Sequence, residues 1–179
     1  MKNLSAAHTF AVGLVLGALA VASLGFAIAR AADSSNAALA NRVQRLEDRA
    51  AIEELLVAYG HDLDKRDFTA YASLFATHGS WSGSIGTFTG PAAIQAAMEK
   101  AFKRSPGSPV PSTFHLMTNF NVDVHGDEAT ASSKWTFFRV VNGAPVPTLA
   151  GVYEDSLVRE GGKWKFLRRV APAAQSAGK

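Results

Sequence analysis

The sequence predicts an α+β domain, because helix-like periodicity fills its first part and strand-like alternation fills its last part. Apolar residues between about 39 and 75, and again between 91 and 102, recur mostly at spacings of three and four, as on one face of a helix. From residue 113 onwards the apolar spacing changes to two, and Gly-containing turns interrupt it. A run of helices followed by a run of strands is typical of α+β folds.

Three helices are predicted. The first is long and ends near Asp64, and Asp67 is positioned to cap a second helix over about 68–75. Pro91 stands in the first turn of a third helix that ends near Phe102, where a proline is well tolerated. The apolar positions of the first helix include Leu39, Val43, Leu46, Ile52, Leu55, Leu56, Tyr59 and Leu63.

The strands begin with short pieces over 80–85 and 87–89, separated by Gly86. Four longer strands are then predicted over 113–124, 129–141, 148–159 and 163–170. The turns between them are short and rich in Gly, Asn and Asp, which predicts an antiparallel meander.

The N-terminal segment, residues 1–31, is predicted to be a signal peptide or a membrane anchor. Lys2 precedes an uncharged stretch from Phe10 to Ile28, and Ala29 and Ala31 fit the small positions of a cleavage site. The stretch is nearly long enough to cross about 30 Å of hydrocarbon, so an uncleaved anchor stays an alternative. Either way, the domain is expected outside the cytoplasm, periplasmic or secreted. The predicted boundaries are 1–31 for this segment, 32–40 for a polar lead-in, 41–172 for the domain and 173–179 for a tail.

Composition excludes several classes of function. The chain has no cysteine, which excludes disulfides, thiolate metal sites and a lipid-anchored cysteine. The formal charge is +3, but after residue 31 there are 16 basic against 15 acidic residues, which argues against nucleic-acid binding. The densest basic cluster alternates with apolar residues and is predicted to be the solvated face of a strand; it consists of Lys163, Lys165, Arg168 and Arg169.

Three groups of residues in order carry a resemblance to a known family. They are Ile52, Leu56, Tyr59, Asp64, Asp67-Phe68 and Leu74-Phe75; then His115-Leu116-Met117-Thr118-Asn119, Val122, Gly126-Asp127 and Ala129; then Gly151-Val152-Tyr153-Glu154-Asp155 and Gly162-Lys163-Trp164. Over about residues 41–170 the chain resembles the SnoaL-like branch of the nuclear-transport-factor-2-like (NTF2-like) superfamily. The resemblance implies a cone-shaped half-barrel, in which a curved antiparallel sheet and three helices enclose a deep pocket.

Members of that superfamily include polyketide cyclases, ketosteroid-isomerase-like enzymes, scytalone-type dehydratases and ligand-binding proteins without catalysis. The resemblance therefore implies a fold without settling a function.

Asp64 is the first candidate catalytic residue. It lies in the last turn of the long helix, on the same stripe as Gly60 and Val57, and Gly60 leaves room beside the carboxylate. A carboxylate partly withdrawn from water suits a general base or acid. The alternative is that Asp64 only binds backbone amides at the turn.

His115 is the second candidate. It shares the more polar face of its strand with Met117 and Asn119, and the resemblance implies that a histidine here faces the pocket. With Asp64 it would form a dyad in which the carboxylate orients the imidazole for proton transfer. The alternative is a core histidine held by one hydrogen bond.

Few catalytic residues of two enzyme types in this superfamily have a counterpart in the sequence. For scytalone-type dehydratases only Asp64 and His115 match, since the second histidine falls near Ser133 or Lys134 and the tyrosines on Leu63 and Gly83. Tyr153 and Asp155 alternate as an oxyanion pair of a ketosteroid isomerase could. The residues predicted to line the pocket are Val57, Tyr59, Gly60, Trp81, Phe102, Met117, Asn119, Trp135, Phe137, Tyr153 and Asp155.

The sequence therefore predicts a cofactor-free lyase or isomerase acting on a small apolar cyclic, polyketide-like or steroid-like molecule. Non-catalytic binding of such a molecule and an oligomerisation module remain alternatives. A homo-oligomer through the sheet face is expected, and membrane contact only through an uncleaved N-terminal segment. No metal site is predicted, because His61, Asp62 and His78 are expected in solvent or in a loop, and no phosphate loop or dinucleotide fingerprint is present.

Overall fold

The computed structural model of the protein describes the backbone of residues 4–103, 112–172 and 175–176, and the side chains of Arg30, 33–103 and 112–172. Most of the predicted signal or anchor segment and the predicted tail lie outside the residues whose side chains are described. Within the described part of the chain, no helix is both long and apolar enough to cross a bilayer. Contacts divide the chain into two units, Met1–Arg45 and Leu46–Lys179.

Helix α1, Leu4–Lys65, begins in the first unit and ends in the second. The predicted polar lead-in is therefore helical. In the first unit Leu39 and Val43 are exposed, at 59% and 44% of their surface, and in the second unit Leu46 is 68% exposed. These three apolar positions of the predicted helix therefore lie outside its buried face. The buried face of α1 begins at Asp48 and Ile52.

The other two helices are short. Helix α2, Phe68–Ser73, starts at the predicted cap, since the Ala70 N–H donates to Asp67 Oδ1 at 2.9 Å. Helix α3, Pro91–Ala101, begins with its proline as predicted.

The strands are β1, Phe75–Gly83; β2, Gly86–Thr89; β3, Thr113–His125; β4, Glu128–Val141; β5, Ala144–Glu160; β6, Lys163–Val170; and β7, Gln175–Ser176. They form one curved sheet in the order β2-β1-β6-β5-β4-β3, with β7 paired to β5. Only the β1–β6 pairing is parallel among the described strands. The predicted α+β fold with four meander strands is confirmed.

Strand β1 starts five residues earlier than predicted, at Phe75. Its register against β6 shifts between Phe75 and Ser80, and Phe75 and Ala76 are buried in succession. A strand interrupted in this way loses the period-two alternation by which strands are recognised.

Strand β3 contains a bulge that changes which residues face inward. The register against β4 shifts between Thr118 and Asn121, and Asn119 has a positive φ of 54°. Up to Met117 the odd-numbered residues, including His115, are partly buried, whereas from Phe120 onwards the even-numbered residues are. Asn119 is exposed, so its predicted place in the pocket was wrong.

Candidate active site

The Asp64 carboxylate and the His115 imidazole meet where the end of α1 lies against β3. His115 Nδ1 is 2.6 Å from Asp64 Oδ1, and the His115 backbone N–H donates to Asp64 Oδ2 at 2.8 Å. The side chains are 12% and 20% exposed for His115 and Asp64. The Asp64 carboxylate therefore binds both the backbone of β3 and the His115 ring. The cap of helix α2 comes from a different residue, Asp67.

The pairing also sets the tautomer of His115. A carboxylate only accepts hydrogen bonds, so Nδ1 carries the proton and donates it to Asp64. In the neutral ring Nε2 then has a free lone pair. The ring packs against Trp135 and Phe137, with centroids 6.1 and 4.9 Å away, and it lines a cavity. Nε2 is the ring nitrogen left to meet a ligand there.

Gly60 allows the helix to approach the strand behind the dyad. A Cβ at this position would lie 3.3 Å from Met117 Cγ and 3.7 Å from His115 Cβ. Gly60 therefore packs closely against Met117 and His115, and neither Gly60 nor Met117 lines the cavity, which corrects their predicted place.

The cavity next to the dyad has a volume of about 240 Å³ and a largely aromatic and aliphatic lining. Besides His115, it is lined by the predicted residues Tyr59, Trp81, Phe102, Trp135, Phe137 and Tyr153. Sequence reasoning did not find Leu63, Tyr71, Ser84, Ile85, Met98, Ala101, Leu149, Ala171 and Pro172. For Tyr71 a signal existed, since it precedes the inward pair Leu74 and Phe75 by three and four residues.

Two further predicted pocket residues lie elsewhere. Val57 is 50% exposed on α1, because the buried face of the helix is formed by neighbours such as Leu56. Asp155 is buried but belongs to an ion pair outside the cavity lining. Neither residue lines the cavity.

Three tyrosines and a tryptophan form one wall of the cavity. Tyr59 contacts Tyr71 and Tyr153 with ring centroids 4.8 and 5.3 Å apart, and Trp135 stacks on Tyr153 at 5.5 Å. Trp81 Nε1 donates to the Tyr59 hydroxyl at 2.9 Å. Burial, followed by the neighbouring Tyr59, raises the pKa of Tyr71 and of Tyr153 well above 10.0. These two phenols are therefore neutral at ordinary pH.

A buried cation supports this wall. Arg169 donates from Nε and Nη2 to the two carboxylate oxygens of Asp155, at 2.8 and 2.9 Å, and both side chains are fully buried. Its guanidinium lies 3.9 Å from the ring centroid of Tyr59 and 4.2 Å from that of Tyr153. Arg169 was predicted on a solvated face, and the structure places it in the core instead. Because Asp155 is bound to Arg169, it is not available as an oxyanion donor.

Burial and ion pairing have opposite effects on the pKa values of Arg169 and Asp155. Burial alone would lower the pKa of Arg169, but the Asp155 carboxylate and the adjacent tyrosines raise it overall. Burial raises the pKa of the Asp155 carboxyl, and the guanidinium opposes that rise. The bidentate geometry keeps the pair ionised.

Gly151 on β5 makes room for Trp135. A Cβ at residue 151 would lie 2.8 Å from Trp135 Nε1, closer than packed atoms approach. The absence of a side chain at this position therefore lets the indole stack on Tyr153 and contact His115 at a tilt. Among the described residues, no three histidine or acidic side chains converge as metal ligands would.

Residues 44–170, which include the dyad, the cavity wall and the whole meander, match the SnoaL-like domain family. The chain belongs to this family. Among solved structures, the SnoaL-like chain is similar to an NTF2-like protein with a cystatin-like fold from Novosphingobium aromaticivorans. The two share 28% identity with a TM-score of 0.67, over 78% of this chain and 90% of that one.

Two other structures are also similar to this SnoaL-like chain. LinA shares 25% identity with a TM-score of 0.61, over 76% of this chain and 90% of LinA. ActVI-ORFA from Streptomyces coelicolor shares 22% identity with a TM-score of 0.59, over 69% and 95% of the two chains, and shows the fold alone. No curated protein matches the chain significantly.

Proposed function

We propose that this SnoaL-like protein binds a small apolar, cyclic molecule in the 240 Å³ cavity. It then acts as a cofactor-free lyase or isomerase that removes a proton from the bound molecule and returns it to another atom. The observation that carries the proposal is the 2.6 Å contact between His115 Nδ1 and Asp64 Oδ1 at the wall of an aromatic cavity. Because Nδ1 is engaged by the carboxylate, Nε2 is the ring nitrogen that remains for a ligand in the cavity.

The chemistry follows from the two ring nitrogens. Nε2 takes a proton from a substrate carbon, and the C–H electron pair forms a new double bond. In an elimination, the leaving hydroxyl takes the proton from the imidazolium and departs as water. In an isomerisation, the electron pair of the original double bond shifts to another carbon, which takes the proton back from the imidazolium. Asp64 stabilises the imidazolium formed in between, and the apolar lining keeps water away from it.

The test is turnover of a panel of enones, hydroxyketones and epoxides by wild type and variants. Asp64→Asn keeps the shape of the side chain but removes its charge, and its amide no longer favours the Nδ1–H tautomer. We expect a loss of turnover of about 10²–10⁴-fold. Ligand affinity should stay within a few-fold, because Asp64 does not line the cavity.

The chain offers a matched control. Asp123 and His125 also form a carboxylate–imidazole pair, with His125 Nε2 3.1 Å from Asp123 Oδ2, but both side chains are 70% exposed. Asp123→Asn should leave turnover unchanged. Equal turnover by wild type and Asp64→Asn on every substrate that is converted would refute the dyad.

Non-catalytic binding in the same cavity is the second candidate, and the apolar lining favours it independently of the dyad. It predicts that a panel compound raises the melting temperature of wild type and of Asp64→Asn alike, with no conversion by either. At about a hundred times its dissociation constant, such a ligand stabilises the protein by about 2.7 kcal/mol.

Export and self-association complete the proposal. The N-terminal residues support a location outside the cytoplasm, which cell fractionation of the full-length protein would test. For self-association through the outer sheet face, the support is exposed Phe114 and Leu116, at 39% and 48%. Leu116→Lys should then give smaller particles in light scattering.

A further inference from the structure

Helix α1 carries exposed apolar residues that the proposed active site does not use. In the first unit these are Leu39 and Val43, and in the second unit they are Leu46 and Val57, which are 68% and 50% exposed. Leucine and valine exposed repeatedly along one helix indicate a surface that another molecule covers.

Their spacing in sequence is that of a coiled coil. If Val43 is placed at heptad position a, Leu39 and Leu46 fall at d, and Asn36 falls at the preceding a. Valine at a with leucine at d favours two parallel strands. A single asparagine at a fixes the register of such a pair. The sequence therefore contains both the apolar seam and the polar residue that selects a dimer.

The charges beside the seam favour a second copy of the same helix in parallel. Arg42 occupies a g position, and Glu47 occupies the e position that follows it. In a parallel pair, g of one helix meets the following e of the other, so Arg42 of each helix meets Glu47 of its partner. In an antiparallel pair, like charges would meet.

The buried side of α1 leaves this seam free. Position f, opposite the seam, holds Asp48 and Leu55, which are 5% and 7% exposed within the second unit. At the far end, the seam is interrupted by Glu53 at a d position, which is bound to Arg49 at 2.9 Å, and by Leu56 at g, which is fully buried. The seam that can pair therefore ends near residue 50.

We propose that residues 36–50 of α1 form a parallel two-stranded coiled coil with the same segment of a second copy of this chain. About two heptads are marginal on their own, so the contact depends on a raised local concentration of the two copies. A shared membrane or a second interface would supply it. The proposal does not rest on the catalytic activity, and its surface is separate from the outer face of the sheet.

The absence of cysteine makes a direct test possible, because each introduced cysteine is then the only thiol. Leu46→Cys places it at d in the seam, and Asn41→Cys, an exposed f position, is the matched control. The full-length chain in detergent micelles is oxidised mildly and run on a non-reducing gel. We expect the covalent dimer from Leu46→Cys to exceed that from Asn41→Cys by about tenfold or more.

Charge reversal provides the second test, read as the dissociation constant by analytical ultracentrifugation. Arg42→Glu should raise it about tenfold, and adding Glu47→Arg should restore it, because the pair is re-formed in the opposite sense. Circular dichroism checks that these exposed substitutions leave the fold intact.

Three outcomes would overturn the proposal. One is equal cross-linking at residues 46 and 41. Another is failure of the double reversal to restore association. The third is cross-linking only in a Leu116→Cys variant, which would assign self-association to the sheet. Binding of monomers to anionic vesicles that is lost in Leu46→Glu would assign the apolar residues to a membrane surface instead, and would count against the coiled coil as well.

Discussion

Replacing Asp155 by asparagine should destabilise the protein more than most single substitutions do. Asp155 and Arg169 are both fully buried and joined by two hydrogen bonds, of 2.8 and 2.9 Å. Asparagine keeps the shape but removes the negative charge, so the Arg169 cation stays in the core without compensation. Breaking a buried pair from one side costs about 3–5 kcal/mol, a large part of a total stability of about 5–15 kcal/mol.

The assay is urea unfolding of the purified protein followed by circular dichroism, with the stability taken from the midpoint and slope. The companion variants are Arg169→Met alone and Asp155→Leu combined with Arg169→Met. The double variant should cost clearly less than the two single variants together, because no buried charge is left unpaired. Ligand affinity should fall in Asp155→Asn, since Arg169 supports the rings of Tyr59 and Tyr153.

Two results would refute this reasoning. A loss below about 1 kcal/mol in Asp155→Asn would mean that the cation is not buried as the structure shows it. The other is a loss of unfolding free energy in the double variant equal to the sum of the losses in the two single variants. That result would mean that Asp155 and Arg169 do not interact.

The remaining predictions concern the aromatic wall. Because burial raises the pKa of Tyr71, it keeps its proton in the fold when unfolded tyrosines ionise from about pH 10. Stability is therefore intact below that pH and falls above it, and Tyr71→Phe should make the fall shallower by about 1.4 kcal/mol per pH unit in urea titrations. Parallel slopes would contradict this. Gly151→Ala forces Trp135 to shift and should cost about 1–3 kcal/mol by the same assay. An unchanged urea midpoint would show that the Trp135 indole does not pack against the backbone of β5 at Gly151.

Much of the architecture could be predicted from the sequence, because the apolar residues of most helices and strands recur with the spacing typical of that element. Strand β6 has the predicted ends, and β3 and β4 differ from prediction by one residue at one end. The dyad could be predicted only through the family resemblance. Asp64 and His115 are 51 positions apart, and no local pattern relates them.

Three of the errors in the strands share a physical cause, since register shifts reset the alternation of β1, β3 and β6. One hides the start of β1 and another turns Asn119 outward in β3. The third lies in β6, where Leu157 of β5 pairs with Phe166 but the preceding residue pairs with Arg168, so that Leu167 is the extra residue. A single sequence does not reveal such insertions, because the inserted residue resembles its neighbours.

The shift in β6 has a direct consequence for the candidate active site. Trp164 and Phe166 face inward, and strict alternation would next bury Arg168; the extra residue, Leu167, is 40% exposed, and Arg169 is buried instead. Only then does a guanidinium come to lie against the rings of Tyr59 and Tyr153. The aromatic wall of the cavity thus depends on an irregularity in β6, although no side chain of β6 lines the cavity. Neither periodicity nor composition reveals that irregularity, so neither could predict that Arg169 supports the wall.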